Sequence, residues 1–191
     1  MFGTIFEDLI KVQPKIAVVI DKRLKKLFQR TFPNIEFFGI EEDLSLLNYS
    51  KHISMGGLCK FFRNDIKKFN YTNVKPFISS YNIDNQIKTL MPSSKGLKIG
   101  LSWLTFAKKN TKRSLSSQQV ASIISSNEHT FINLQYGNIN NSLKEINQLS
   151  DKSIYQVPGV DLTNNLESLS SIISNCDLII TIDNSTAHLA S

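Results

Sequence analysis

Four stretches place hydroxyl, amide, carboxylate or aromatic side chains directly after apolar runs: Ser102 with Trp103, Gln135 with Tyr136, 158–161 ending in Asp161, and 183–186 (Asp183, Asn184, Ser185, Thr186). In an open parallel sheet, ligands bind beyond the carboxyl ends of the strands, so these four places converge on one edge if the runs are strands of one sheet. The last is the most informative. The run 178–182 (LIITI) suits a strand covered on both faces, and the small polar residues after it begin a helix. Free backbone N–H groups at such a start, joined by the hydroxyls of Ser185 and Thr186, suit a diphosphate. The alternative is that Asp183, Ser185 or Thr186 only caps the helix.

Other residues gather around that edge. His188 lies three residues after Ser185 and shares its helical face, turned toward the same ligand, with no acid–base role assigned. Lys112 and Arg113 follow the run 98–103 and are placed to neutralise phosphate oxygens. Trp103 suits stacking on a base or closing the pocket, and equally suits the core. Asp161 opens a loop that enters a helix, where a turn or cap role is the alternative. The chain carries no P-loop, GxGxxG, HExxH or nucleophile elbow. No catalytic residue is assigned.

The elements that position these residues follow from periodicity. In the second half, strands at 98–103, 130–135, 153–157 and 178–182 alternate with helical patterns. The segment 116–126 sets Val120, Ile123 and Ile124 on one face, and Ser116 with Gln119 fits a capping box. A second helix carries Leu143, Ile146 and Leu149; a third carries Leu166, Leu169, Ile172 and Ile173, with Asn164 and Glu167 repeating the cap signature. Right-handed crossovers join such units into a parallel sheet, a doubly wound α/β domain. The first half is less regular: a strand at 15–20, a helix at 22–30, a short strand at 35–38, an amphipathic segment at 58–69 and a helix at 81–90. A polar linker, 92–97, separates a first domain (1–91) from a second (98–191).

Composition narrows the partners. The apolar fraction of 41% and charged fraction of 20% are those of an ordinary globular chain. No run approaches the roughly 20 apolar residues of a membrane span, and a cytoplasmic location is expected. Cys59 and Cys176 form no CxxC and no cluster with histidine, so no metal site is expected. Residues 1–95 hold 15 Lys and Arg against 9 Asp and Glu, whereas 96–191 hold 7 of each. Four of those later seven, Lys108, Lys109, Lys112 and Arg113, share one loop. A basic loop in a neutral domain points to a discrete anionic ligand more than to a long polyanion.

Taken in order, KIGLSW (98–103), KRSL (112–115), NLQYG (133–137), GVDL (159–162) and DLIITIDNSTAHLA (177–190) resemble the motifs of bacterial glycosyltransferases of the heptosyltransferase type. The resemblance is nearest to those that follow tetratricopeptide repeats and are related to O-GlcNAc transferases. DKRLKKLFQRTFPNIEF (21–37) is similar to a segment of the family's first domain. The resemblance implies a GT-B fold of two Rossmann-like domains with parallel sheets, the nucleotide-sugar donor held by the second and the acceptor facing the first. Ser102 would then lie near the donor phosphates, and Lys112 with Arg113 would offset their charge. Asp183, Asn184, Ser185 and Thr186 would form the phosphate-binding helix start, supported by His188, with Trp103, Gln135 and Asp161 as further pocket residues. Asn184 departs from the Ser or Thr usual at its position.

Such transfer needs neither metal nor cofactor, since the basic side chain and helix dipole stabilise the departing nucleoside diphosphate. The expected partners are the nucleotide-sugar donor and a glycan, lipopolysaccharide or protein acceptor, with no nucleic acid. Relatives carry a glycine-containing loop ahead of the segment corresponding to Phe2 and further α/β units after Ser191, so both domains are expected to be incomplete. The alternatives are a non-catalytic α/β interaction module, a nucleic-acid binder suggested by the pI of about 9.3, and a sugar-nucleotide epimerase, which would share the fold and the phosphate logic without an acceptor.

Overall fold

A computed structural model describes residues 2–45, 47–69, 77–106, 113–125 and 128–190. The chain divides into two compact units, Met1–Ile78 and Ser79–Ser191. The division therefore falls ahead of the helix at 81–90 and not at 92–97.

In the first unit, a 3₁₀ turn (Phe2–Ile5) leads into α1 (Phe6–Val12), followed by β1 (Ala17–Ile20), α2 (Lys22–Thr31), β2 (Glu36–Gly39) and α3 (Met55–Phe62). β1 and β2 pair in parallel from Ala17 opposite Glu36 to Ile20 opposite Gly39, with α2 as the crossover. α2 starts where the side chain of Asp21 accepts the Arg23 N–H at 2.9 Å. The core is aromatic: the Phe6 ring meets Phe32 and Phe37 edge to face, with centroids 5.2 and 5.8 Å apart. The amphipathic segment expected at 58–69 is split. α3 begins earlier, because Ser54 caps it by accepting the Gly57 N–H, and it ends at Phe62 before a 3₁₀ turn (Ile66–Lys68).

The second unit contains α4 (Tyr81–Leu90), β3 (Lys98–Ser102), α5 (Ser117–Ser125), β4 (Thr130–Asn133), α6 (Asn140–Leu149), α7 (Leu166–Ser174), β5 (Leu178–Thr181) and α8 (Ser185–Ala190). Its sheet runs β4-β3-β5, all parallel. Alternate strand residues feed two cores. Ile99, Leu101, Trp103 and Phe131 join Val120, Ile124, Leu143 and Ile146 of α5 and α6. Ile132 and Leu134 join Ile87, Leu169 and Ile172 of α4 and α7. Helices thus cover both faces, as the near-continuous apolar strands require. At the middle of β3, a Cβ on Gly100 would lie 2.4 Å from Leu134 Cδ1 and 2.8 Å from Ile179 Cδ1. Glycine here lets side chains from both sides close over the central strand.

The reciprocal capping box of α5 is present: the Ser116 N–H donates to Gln119 Oε1 at 2.9 Å, and the Gln119 N–H to Ser116 Oγ at 3.2 Å. Two expectations shift. The cap of α7 is Asn165, which accepts the Ser168 N–H, one residue later than expected. The strand at 153–157 is reduced to one parallel bridge between Tyr155 and Ile132. Pro158 has no N–H to extend the ladder, and Gly159 turns away with φ +71°.

Candidate functional site

β3, β4 and β5 end side by side, and their last residues are tied by buried polar side chains. Ser102 Oγ donates to Gln135 Oε1 at 3.1 Å and receives a bond from Asn184 Nδ2 at 2.8 Å. Gln135 Oε1 also accepts the backbone N–H groups of Trp103 at 2.9 Å and Leu104 at 2.7 Å. Asn184 Oδ1 accepts from Thr186 N at 2.9 Å, Ala187 N at 3.4 Å and the Thr181 hydroxyl at 3.2 Å. The Thr186 hydroxyl reaches back to the Leu134 carbonyl at 3.4 Å. Ser102, Gln135, Asn184 and Thr186 are all buried. None of the buried side-chain polar atoms among the described residues lacks a partner, as a low-dielectric interior demands.

The expected site residues therefore separate by depth. Ser102, Gln135, Asn184 and Thr186 form the buried floor. Asn184 is itself the helix cap: its amide caps α8 and bonds Ser102 at once, a reach no hydroxyl has. Asp183, Ser185 and His188 are exposed around the helix start. Arg113 crosses to this rim and pairs with Asp183 at 2.7 Å, both side chains more than half exposed. Lys112, with Lys108 and Lys109, lies outside the described residues.

Trp103 and Asp161 are placed differently. Trp103 is fully buried and donates its Nε1–H to Ser142 Oγ at 2.9 Å, so it packs in the core under the strand ends and presents no face to a ligand. Asp161 folds its own turn, accepting from Thr163 N at 2.9 Å, Asn164 N at 3.1 Å and Asn164 Nδ2 at 2.8 Å. The Asn164 side-chain amide first, then the two backbone N–H groups, hold its carboxyl below the ordinary carboxylate range. Among the described residues, no group of three or more His, Cys, Asp or Glu is placed to hold a metal ion. No described helix is long and apolar enough to cross a membrane.

Sequence reasoning missed how the loop after β3 is closed. The Leu115 N–H bonds the Trp103 carbonyl at 2.9 Å, and the Thr105 N–H bonds Ser114 Oγ at 2.9 Å. This clasp holds Phe106 on one side and Arg113 on the other. Phe106 lies near Tyr136, with ring centroids 5.8 Å apart. An aromatic residue just before a basic loop was the available signal.

The chain is similar to protein FlbA of Caulobacter vibrioides, 22% identical over 209 aligned positions that take in 100% of this chain and 35% of FlbA. The chain thus spans about a third of the length of the curated relative it matches. No family model and no solved structure matches it.

Proposed function

We propose that this chain carries the nucleotide-sugar-binding part of a GT-B glycosyltransferase, which moves a sugar from a nucleoside-diphosphate donor to a glycan, lipopolysaccharide or protein acceptor. The observation that carries the reading is the convergence of three parallel strand ends on a buried floor, with an exposed guanidinium and hydroxyl at its rim. The floor fixes the rim; Arg113 and Ser185 meet the ligand. In this reading Arg113, with Lys112 beside it in sequence, offsets the charge that develops on the departing diphosphate. The Arg113 pair with Asp183 is open to water and so weak, which lets an incoming phosphate replace the carboxylate.

Calorimetric titration with UDP, GDP and ADP tests the proposal. One of them is expected to bind, and Arg113→Ala to weaken it roughly tenfold or more, the loss of one charge-assisted hydrogen bond. No binding of any of the three, together with no sugar transfer from the corresponding donors, overturns it.

One observation favours the non-catalytic alternative. Asn184 already caps α8 and Asp183 already faces Arg113, so this edge of the sheet is satisfied without a ligand. That reading expects a melting temperature unmoved by any nucleotide.

A further inference from the structure

Phe106 is a large apolar side chain left 48% exposed beside a site otherwise built of polar groups, and it is held from below. Its ring lies directly over Gly137: a Cβ there would approach the ring to 2.6 Å. Gly137 is also at φ +84°, a conformation few L-residues adopt, so both space and backbone call for glycine. The Gly137 N–H is in turn fixed by the Thr163 hydroxyl at 3.3 Å. The half-buried Tyr136 ring stands next to Phe106 at 5.8 Å, tilted by 52°. An aromatic face is therefore propped at the end of β4 by the backbone of a tight turn.

The same clasp that aims Phe106 toward the end of β4 leaves Arg113 at the end of β5. In the order β4-β3-β5 these ends are two strand spacings apart, roughly 10 Å. A ligand that engages both must carry a flat ring at one end and an anion at the other. Those are the two ends of a nucleoside diphosphate. Base stacking on aromatic rings is tolerant of base identity, because every base has a π face.

We infer that Phe106, supported by Tyr136 and Gly137, is the stacking platform for the nucleobase of a nucleoside diphosphate whose phosphates meet Arg113. The inference rests on the donor-binding reading and adds where the base lies. It makes Phe106 a binding residue with no part in the chemistry of transfer.

The test compares the tightest-binding of UDP, GDP and ADP with inorganic pyrophosphate, which has the anion without the base, on the full chain by calorimetry. Phe106→Ala is expected to weaken the nucleotide roughly fivefold or more while leaving pyrophosphate unchanged, and Phe106→Tyr to keep the affinity. The half-exposed ring makes loss of folding avoidable, and unchanged melting temperatures of both variants check it. If the wild-type chain binds nucleotide no better than pyrophosphate, or Phe106→Ala weakens both equally, the platform is wrong and diphosphate binding stands. If neither probe binds, the platform and the donor reading fall together.

Discussion

Asn184 shows how one side chain ties a strand end to a helix start. Its oxygen serves two backbone N–H groups of α8 and the Thr181 hydroxyl, and its nitrogen serves Ser102 across the sheet. Truncation removes a helix cap and leaves buried partners unsatisfied, so Asn184→Ala is expected to cost about 2 kcal/mol or more in urea unfolding. Asn184→Ser, which keeps a cap but cannot reach Ser102, should fall between that variant and wild type. The positions of Ser102, Gln135 and Asn184 at a shared edge were legible from sequence, because each follows an apolar run. Their burial was not, since a hydroxyl or amide at a strand end reads alike whether it faces ligand or interior. Trp103 illustrates the same ambiguity, settled by a hydrogen bond to Ser142 that no spacing rule announces.

Among the elements, strands and helices with strong periodicity appear where sequence places them, and capping side chains set the starts of α2, α3, α4, α5 and α7. The α5 box is legible because Ser116 and Gln119 leave one register. Asn164 and Asn165 leave two, and only the turn built by Asp161 decides for Asn165, by engaging Asn164 itself. At the start of α2, the Arg23 guanidinium first, and then the Arg23 backbone N–H, lower the Asp21 carboxyl from 3.8 to about 2. The folded-state value is depressed, so the stabilisation is present above the unfolded-state value near 4 and is lost as pH falls from there through about 2. The pair is exposed, which limits its worth to under about 1 kcal/mol. Asp21→Asn is expected to unfold at lower urea than wild type at pH 7, with the difference closing by about pH 2. A gap that persists at pH 2 would assign the effect to capping geometry and not to charge.

For the whole molecule, periodicity predicts a parallel α/β second half and an α/β first half, the resemblance implies parallel sheets in both, and both sheets are parallel. The division between units was less legible. Pro92 and its polar neighbours look like a linker, yet α4 ahead of them belongs to the second unit. Ile87 is buried with α7 residues, Asp84 accepts from Ser171 and Asn175, and Ser79 Oγ bonds the Glu167 carbonyl at 3.0 Å. An amphipathic helix shows that it needs a partner but not which one, and the partner here comes about 85 residues later in the chain. The buried clusters divide the same way: Phe6, Val18, Phe32, Ile35 and Phe37 gather in one unit, while both clusters around the β4-β3-β5 sheet lie in the other.

The chain has a single tryptophan, and it lies beneath the strand ends of the second unit. Trp103 is thus a label already installed: its emission should be blue-shifted in the native protein and should move to the red only when the core around it admits water. Far-ultraviolet dichroism, by contrast, sums the helices of both units. In a urea titration followed by both signals, separate cores are expected to give non-coincident transitions. Superimposable curves would mean that the two units melt as one. Because Trp103 follows Ser102 directly and its carbonyl accepts the Leu115 N–H, the same light also reports any disturbance of the strand ends, with no dye attached and no residue replaced.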